Sequence, residues 1–379
     1  MKWVILPTDI AFFVMLCVLG VYIWRVRDNA VQSATWQRVF VRRTGKISAL
    51  VLAFFLLIAA VDSIHFRKGD SNKTQSALDV VLGKLADSKE KSYSRPLASV
   101  LMIKETRMID NVQVRDYPPL KWPEGHILGT DKAGNDVLYV AIKSIRTAVV
   151  IGALTTLISL PFAILLGIAA GYLRGRADQV IQYIYTVLSS IPGILLIAAS
   201  VLMMQVWIDK HAAWFETGLE RADMRLLMLT VVLGLTGWAG LARLLRGEVM
   251  KLREQEYVIA AQAFGVSTWR IMLRHLLPNV AHLILLTAVL EFSGAILLES
   301  VLTFVGVGVD SATFSFGSMI NGARTELARN PVIWWPLGTA FAFMIVLVLA
   351  ANLFADCVRD AFDPRYAVTP SRALEAGHA

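Results

Sequence analysis

Long stretches without a charged residue constrain the fold of this chain more than any other feature. Residues 147–173 contain no Asp, Glu, Lys or Arg, and several other segments are nearly as apolar. A helix needs about 20 such residues to cross the hydrocarbon core of a bilayer. Only 17% of all residues are charged, whereas soluble domains average about 25%. The sequence therefore predicts an all-α, polytopic protein of the lipid bilayer.

Seven segments are predicted to span the membrane. They are residues 5–24, 47–66, 147–173, the stretch between 178 and 209, and residues 226–245, 278–304 and 337–355. Little positive charge precedes the first segment, and no small-residue cleavage site follows it. We therefore interpret this segment as a retained helix rather than a signal peptide.

The basic residues of the short loops predict the orientation of the chain. Residues 25–46 carry six Arg and Lys residues against Asp28 alone, and residues 243–275 are similarly basic. Short loops rich in Arg and Lys face the cytoplasm, so both loops and the C-terminus are predicted inside and the N-terminus outside. This pattern accounts for the net charge of +8. No nucleic acid is predicted, because no basic stripe with interleaved aromatic residues is present.

Cysteine and histidine positions indicate neither a disulfide framework nor a metal site. Cys17 lies within the first predicted span and Cys357 at the end of the last, an arrangement unlike disulfide or zinc patterns. His275 and His282 flank the start of the sixth span without a third ligand nearby.

A helix-turn-helix is predicted between the fifth and sixth spans. Residues 256–279 read EYVIAAQAFGVSTWRIMLRHLLPN. Gly265 is a candidate C-cap of the first helix, Ser267 or Thr268 can cap the second, and Pro278 permits a new helix start. Small residues that would let another protein surface approach closely are Ala260, Ala261 and Gly265. An ordinary amphipathic loop helix explains the pattern equally well.

This segment resembles the EAA loop of ABC importer permeases, whose coupling helices dock into a groove on the ATPase subunits. The matching residues are Ala260, Ala261, Gly265, Leu277 and Pro278. Ile259 stands where many members have Glu, and Glu256 lies one helical turn earlier on the same face. The resemblance implies an ATPase-coupling loop at residues 250–279 formed by Glu256, Tyr257, Ala260, Ala261, Gly265 and Arg270.

Three further segments resemble the C-type subunit of the oligopeptide and dipeptide permeases. Residues 126–136 read HILGTDKAGND, similar to HPLGTDxxGRD, although capping of the third span by Thr130 and Asp131 would explain these residues too. Residues 302–308 read LTFVGVG, similar to LSFLGLG, and their two glycines predict a tight re-entry at the outer surface. Residues 352–365 read NLFADCVRDAFDPR, close to NLxGDxLRDxxDPR, with charges at Asp356, Arg359, Asp360 and Asp363.

The resemblance implies a type I ABC importer transmembrane domain with one extra N-terminal span. The expected regions are an extra helix and basic loop at 1–46, a first core span at 47–66, a periplasmic segment at 67–146, a core permease domain at 147–365 and a cytoplasmic tail at 366–379. The implied partners are a B-type permease subunit, two ATPase subunits that bind ATP and Mg, and a periplasmic substrate-binding protein. The implied location is the bacterial inner membrane.

Charged and proline residues inside spans are candidate functional positions. Acidic residues inside a membrane are costly and usually functional. Glu291 and Glu299 are therefore expected either to line the substrate path or to contact a neighbouring subunit. For Glu299, a position at the outer membrane interface is a further alternative. Pro161 and Pro192 interrupt spans, and Pro192 with Gly193 forms the most plausible hinge. A static kink explains these prolines equally well.

Other functional classes fit the sequence less well. The chain contains no Gly-x-x-x-x-Gly-Lys-Ser/Thr motif, so it is not expected to hydrolyse ATP itself. We also find no inverted repeat typical of a secondary transporter and no hydrolase or metalloprotease motif. The remaining alternatives are the same machinery importing nickel chelates or peptide antibiotics, and an ATP-independent transporter.

Overall fold

The computed structural model describes residues 2–28, 30–67, 74–109, 112–123, 125–215, 217–310 and 312–362. Asp363 and the tail at residues 366–379 therefore lie outside the described residues. In the described part, seven helices or helix runs are long and apolar enough to cross a membrane. This confirms the all-α, polytopic prediction and the number of predicted spans.

Two short antiparallel sheets and fifteen α-helices make up the described structure. The strands are β1 (Lys2–Val4), β2 (His65–Arg67), β3 (Thr74–Ser76), β4 (Glu105–Ile109) and β5 (Val112–Asp116). The first helices are α1 (Pro7–Asp28), α2 (Ala30–Val41), α3 (Arg43–Asp62), α4 (Ala77–Val81), α5 (Gly83–Asp87), α6 (Val137–Leu173), α7 (Gly175–Ser190) and α8 (Gly193–Lys210). The others are α9 (Gly218–Gly237), α10 (Ala239–Leu252), α11 (Glu256–Ala263), α12 (Thr268–Ile271), α13 (Leu277–Val305), α14 (Phe316–Ala323) and α15 (Trp335–Phe362).

The bundle has two differently built ends. The described residues 63–67, 74–109, 112–123 and 125–136 gather at one end, which we call the polar-segment end. There β1, β2 and β3 form one sheet in that order, with Trp3 opposite Phe66, and β4 and β5 form a hairpin. Residues 253–276 lie at the opposite end, which we call the loop end.

Helix α6 begins ten residues before its predicted span, at Val137 rather than 147. Its N-cap is Asp136, whose side chain accepts a hydrogen bond from the Tyr139 N–H at 3.0 Å. The prediction that Thr130 and Asp131 cap this helix was wrong. Asp131 instead closes its own turn by accepting from the Asn135 N–H at 2.9 Å, and the Thr130 hydroxyl donates to the Ser92 carbonyl at 2.7 Å.

Two glycines let α6 and α10 approach each other closely. A Cβ on Gly167 would lie 2.8 Å from the Ala242 carbonyl oxygen, and one on Gly171 would lie 2.7 Å from the Val249 Cβ. Their four-residue spacing places both on one face of α6 and matches the small-residue pattern of close membrane helix pairs. This pair surrounds a second buried cluster at the loop end that includes Ile168, Leu245 and Val249.

Helix α1 is fixed to the core by buried polar groups near its first turn. Arg146 of α6 is only 8% exposed. Its guanidinium ion-pairs with Asp9 of α1, lies 3.4 Å from Asp223 of α9, and donates to the Thr8 hydroxyl at 2.9 Å. His65 Nδ1 lies 2.8 Å from the other oxygen of Asp9. The extra N-terminal span is thus an integral part of the bundle.

Replacing Gly171 by Val should separate α6 from α10, because the added carbon atoms have no room beside Val249. We expect a loss of about 1–3 kcal/mol of unfolding free energy, typical of an overpacked core. The measurement is thermal unfolding of the purified protein in detergent. Gly247→Ala in α10 is the matched control, because a Cβ there meets nothing within 4 Å. Equal melting temperatures for the two variants would contradict this close approach.

Arg146→Met should destabilise the bundle by about 3–5 kcal/mol, because it leaves the buried carboxylates of Asp9 and Asp223 without a cation. The same thermal unfolding assay measures this loss. Arg176→Met is the control, since Arg176 is exposed and its replacement should change stability by less than about 0.5 kcal/mol. A wild-type melting temperature for Arg146→Met would show that the ionic cluster does not hold α1.

Candidate functional site

The predicted helix-turn-helix is present at the loop end. Helix α11 ends at Ala263, and Gly265 follows with φ +72°, a left-handed conformation that favours glycine. The Val266 N–H donates to the Ala261 carbonyl and the Gly265 N–H to the Gln262 carbonyl, both at 3.0 Å. These two bonds are the Schellman pattern of a helix C-terminus, so Gly265 occupies the position directly after the C-cap, Phe264.

The second helix of this unit differs from its prediction. Ser267 occupies the N-cap position of α12, but its side chain makes no capping hydrogen bond. Pro278 does not begin a separate helix, because a π-helical turn at Met272–Leu276 joins α12 to α13. Proline removes a backbone donor and clashes with the carbonyl four residues earlier. A wider turn directly before Pro278 accommodates that disruption.

The two faces of α11 have different roles. Val258 and Ala261 are buried, at 0% and 8% exposure, in the cluster formed by α6, α10 and α13. Ala261 was therefore wrongly predicted to face a partner, because it packs inside this chain. Ala260 and Gly265 are exposed, as a close-approach surface requires.

Aromatic side chains extend that exposed surface. Phe264 is 87% exposed and Trp269 is 56% exposed. The sequence analysis did not single out either residue, although large apolar side chains flanking an exposed turn are a signal that could have found them. Such a patch on a membrane protein outside its lipid-facing spans is typical of a protein interface.

The other predicted coupling residues lie on the same unit. Glu256, Tyr257 and Arg270 are all exposed. The Tyr257 hydroxyl accepts from the Asn279 side-chain amide at 3.2 Å, which joins α11 to α13. Five of the six predicted residues are thus exposed on this unit, and Ala261 is buried.

Two arginines fix the region where α10 leads into this unit. Arg253 donates to the Gly171 carbonyl at the end of α6, at 2.8 Å. Arg246 of α10 binds both carboxylate oxygens of Asp178 in α7, at 2.6 and 2.8 Å. These hydrogen bonds from Arg246 hold the pKa of Asp178 below its usual value. Arg253, which directly precedes the helix-turn-helix, therefore connects it to α6, and Arg246 connects the preceding helix α10 to α7.

The predicted hinge is a true break in the fourth predicted span. Helix α7 ends at Ser190, Ile191 is extended with φ −87° and ψ 131°, and α8 begins at Gly193 after Pro192. Pro161, by contrast, lies inside α6, which continues unbroken around it.

A cavity of about 430 Å³ opens at this break. Its walls come from α6, α7, α8, α9 and α13 and the start of α10, and its polar lining includes Thr155, Ser159 and Glu291. The Ser159 hydroxyl donates to the Glu291 carboxylate. Sequence reasoning found Glu291 and Gly193 but missed Thr155 and Ser159, since hydroxyls within an apolar run carry no distinctive pattern.

Glu299 does not line this cavity. It is 1% exposed and accepts from the Thr303 hydroxyl at 2.8 Å within α13. Helix α14 covers it, because a Cβ on Gly317 would lie 2.9 Å from its carboxylate. The expectation that Glu299 lines a path or contacts another subunit is therefore wrong, because the segment after residues 302–308 folds back over it.

Comparison with known proteins gives a consistent set of relatives. Residues 163–368 match the family described as "Binding-protein-dependent transport system inner membrane component". The chain is 29% identical over 255 residues to the oligopeptide transport system permease protein OppC of Bacillus subtilis, covering 67% of this chain and 76% of that protein. It is 30% identical over 264 residues to the protein of that name in Mycobacterium tuberculosis, covering 69% and 82%. The Bacillus subtilis dipeptide transport system permease protein DppC is 32% identical over 241 residues, covering 63% and 69%.

Asp178→Asn should loosen α10 from α7, and with it the helix-turn-helix that continues from α10, because it removes the charge that holds Arg246. We expect faster hydrogen–deuterium exchange of the amides in residues 256–271. Because the pKa of the Asp178 carboxyl is lowered in the folded chain, its ionised form stabilises the fold. This stabilisation is present above the ordinary pKa of about 3.9 and is lost as the pH falls through the lowered value. The increase in exchange caused by Asp178→Asn should therefore be the same at about pH 5 and about pH 8, since both lie above that range.

Glu248→Gln is the control for that experiment. It removes only an exposed pair with Lys251 on the same helix, and such pairs contribute little. Unchanged exchange in Asp178→Asn, or equal changes in both variants, would contradict the anchoring role of Asp178.

Proposed function

We propose that this chain, which belongs to the family of binding-protein-dependent transport system inner membrane components, couples ATP-driven motion of partner ATPases to import of peptides. Its membership makes it a multi-pass inner membrane permease subunit of an ABC importer. In our proposal it forms one half of the translocation path, and a second permease subunit forms the other half. A periplasmic binding protein delivers the substrate to the outer mouth.

One observation carries the coupling proposal. Ala260, Gly265, Phe264 and Trp269 are exposed on α11, α12 and the turn between them. Arg253 ties this unit to α6, and Arg246 ties the preceding helix α10 to α7. A partner that moves this surface would move the spans with it. ATP and Mg bind to the ATPases in this account, and the chain acts through a two-state change of the spans.

The positions of basic residues support the orientation. Residues 25–46 and residues 243–275 each carry six Arg and Lys residues, so we place both in the cytoplasm. The polar-segment end, with its sheets and hairpin, then faces the periplasm and the binding protein. The N-terminus is outside and the C-terminus inside.

The cargo proposal rests on the printed names of the relatives, which are oligopeptide and dipeptide transport permeases. Nickel chelates and peptide antibiotics are the alternatives for the same machinery. They are separated by screening which loaded binding protein stimulates ATP hydrolysis.

The proposal predicts that Gly265→Arg abolishes coupling, because a long charged side chain on the exposed turn blocks docking of the ATPases. The chain would be reconstituted with its candidate permease partner, ATPases and binding protein. ATP hydrolysis with loaded binding protein should rise above the basal rate in the wild type and remain at the basal rate in Gly265→Arg.

Two controls separate docking from folding. Gly265→Ala places a Cβ in the left-handed conformation, which costs about 1–2 kcal/mol, but adds no bulky side chain. This variant should retain most of the stimulation of ATP hydrolysis. Gly218→Arg adds the same side chain at an open glycine of the opposite end and should retain it as well. If the wild-type chain neither recruits the ATPases nor alters their rate, an ATP-independent transporter becomes the better account.

A further inference from the structure

Helix α3 carries an exposed apolar stripe that begins beside two basic side chains. Four large apolar residues of this helix are between 59% and 73% exposed, namely Ile47, Leu50, Phe54 and Leu57. A helix turns by about 100° per residue, so the stripe lies with Arg43 and Lys46 within an arc of about 100°. The opposite side of α3 carries Phe55, Ile58 and Ala59, which belong to the larger buried cluster of the bundle. Within the described part of the chain, one side of α3 is therefore uncovered from its first turn onward.

Arg43 and Lys46 lie at the depth of phospholipid headgroups. Helix α3 has 20 residues, which at 1.5 Å each extend over about 30 Å, the thickness of the hydrocarbon core. Its last residue, Asp62, leads into the polar-segment end, so Arg43 lies at the core boundary on the side of the loop end. Lys46 is one turn deeper, and its long side chain can reach the same boundary. The stripe from Ile47 to Phe54 rises by about 10 Å and so stays within one leaflet.

The positive charges at this boundary are not balanced by the chain. Residues 25–46 carry six Arg and Lys residues and one acid, Asp28. Arg42 is paired with Asp360 of α15. Arg43 and Lys46 are exposed, and neither forms an ion pair with a residue that the structure describes. Clustered basic residues next to a membrane span attract anionic lipids.

Helix α2 fixes the first turn of α3 in place. Trp36 of α2 stacks on Phe354 of α15, with ring centroids 6.5 Å apart, and meets Phe362 edge-on at 5.4 Å. A Cβ on Gly45 would lie 2.2 Å from the Val39 carbonyl oxygen, so α2 packs directly against the start of α3. The two basic side chains therefore extend from a backbone that is held against α15.

We propose that an anionic phospholipid binds at the first turn of α3. Its phosphate lies at Arg43 and Lys46. One acyl chain follows the stripe formed by Ile47, Leu50 and Phe54. A soluble partner could reach the basic pair but not the stripe, whereas a lipid satisfies both at once. This inference goes beyond the proposed function, because it requires neither the ATPases nor a transported peptide.

The test is a lipid titration of the purified full-length chain in detergent, read by native mass spectrometry. The probes are phosphatidylglycerol, phosphatidylcholine with the same acyl chains, and free glycerol 3-phosphate. Phosphatidylglycerol should bind about 25-fold more tightly than phosphatidylcholine, about fivefold for each of the two basic residues. Glycerol 3-phosphate at equal concentration should not displace it, because it has no acyl chains.

The charge requirement is tested with two double variants. Arg43→Gln with Lys46→Gln should lower the affinity for phosphatidylglycerol to that for phosphatidylcholine. Lys104→Gln with Lys121→Gln is the matched control, since it removes two exposed positive charges at the polar-segment end and should keep the wild-type affinity. The melting temperatures of both variants without lipid should match the wild type, because all four side chains are exposed.

The stripe is tested with Leu50→Ala and Phe54→Ala in one chain. This variant removes apolar contact and leaves the basic pair intact. It should therefore weaken the binding of both phospholipids by the same factor and keep the ratio of their affinities.

Four outcomes would overturn the inference. The wild type could bind the two phospholipids equally, or both charge variants could lose the same affinity, and the basic pair would then have no specific role. Displacement by glycerol 3-phosphate would indicate a site for free phosphate instead of a lipid. Loss of phosphatidylglycerol binding when the candidate partner permease is bound would show that the stripe is a subunit interface.

Discussion

The close approach of α6 and α10 is the contact on which the rest of the structure depends. Helix association in lipid gains little from the hydrophobic effect and relies on tight packing of small residues, which Gly167 and Gly171 allow. Both functional elements are attached to this pair. Helix α10 leads into the helix-turn-helix, and α6 carries Thr155 and Ser159 of the cavity about two to four turns away from the same glycines.

Some charged side chains within the bundle find hydrogen-bond and ion-pair partners in this chain, and others do not. Arg146 is surrounded by Asp9, Asp223 and the Thr8 hydroxyl, and this cluster stabilises the attachment of α1. Glu299 is enclosed by hydroxyl donors beneath α14. Glu291 has one hydroxyl and no cation among the described residues. Because an unpaired intramembrane charge is costly, this difference marks Glu291 as the group that awaits a ligand or partner.

Features that depend on local sequence could be predicted, and features that depend on tertiary packing could not. The spans follow from hydropathy, and Gly265 and the Pro192 break follow from backbone restrictions that act within a few residues. The cap of α6 was misassigned because Thr130, Asp131 and Asp136 are all good capping residues within one short segment. Ala260 and Ala261 are adjacent, yet only packing against Ile271 and Met272 decides which one is buried. The Thr155 hydroxyl, which has no partner among the described residues, is likewise visible only when every neighbouring acceptor is placed.

The contacts around α7 connect the two functional elements mechanically. Near its start, Asp178 is held by Arg246 of α10, and near its end the Ser189 hydroxyl accepts from Arg243 of α10 at 3.4 Å. A displacement of α10 by a partner on the helix-turn-helix would therefore move α7 as well. Helix α8 follows the extended residue Ile191 and packs on α9. A displacement of α7 relative to α8 would therefore be taken up at the break between them.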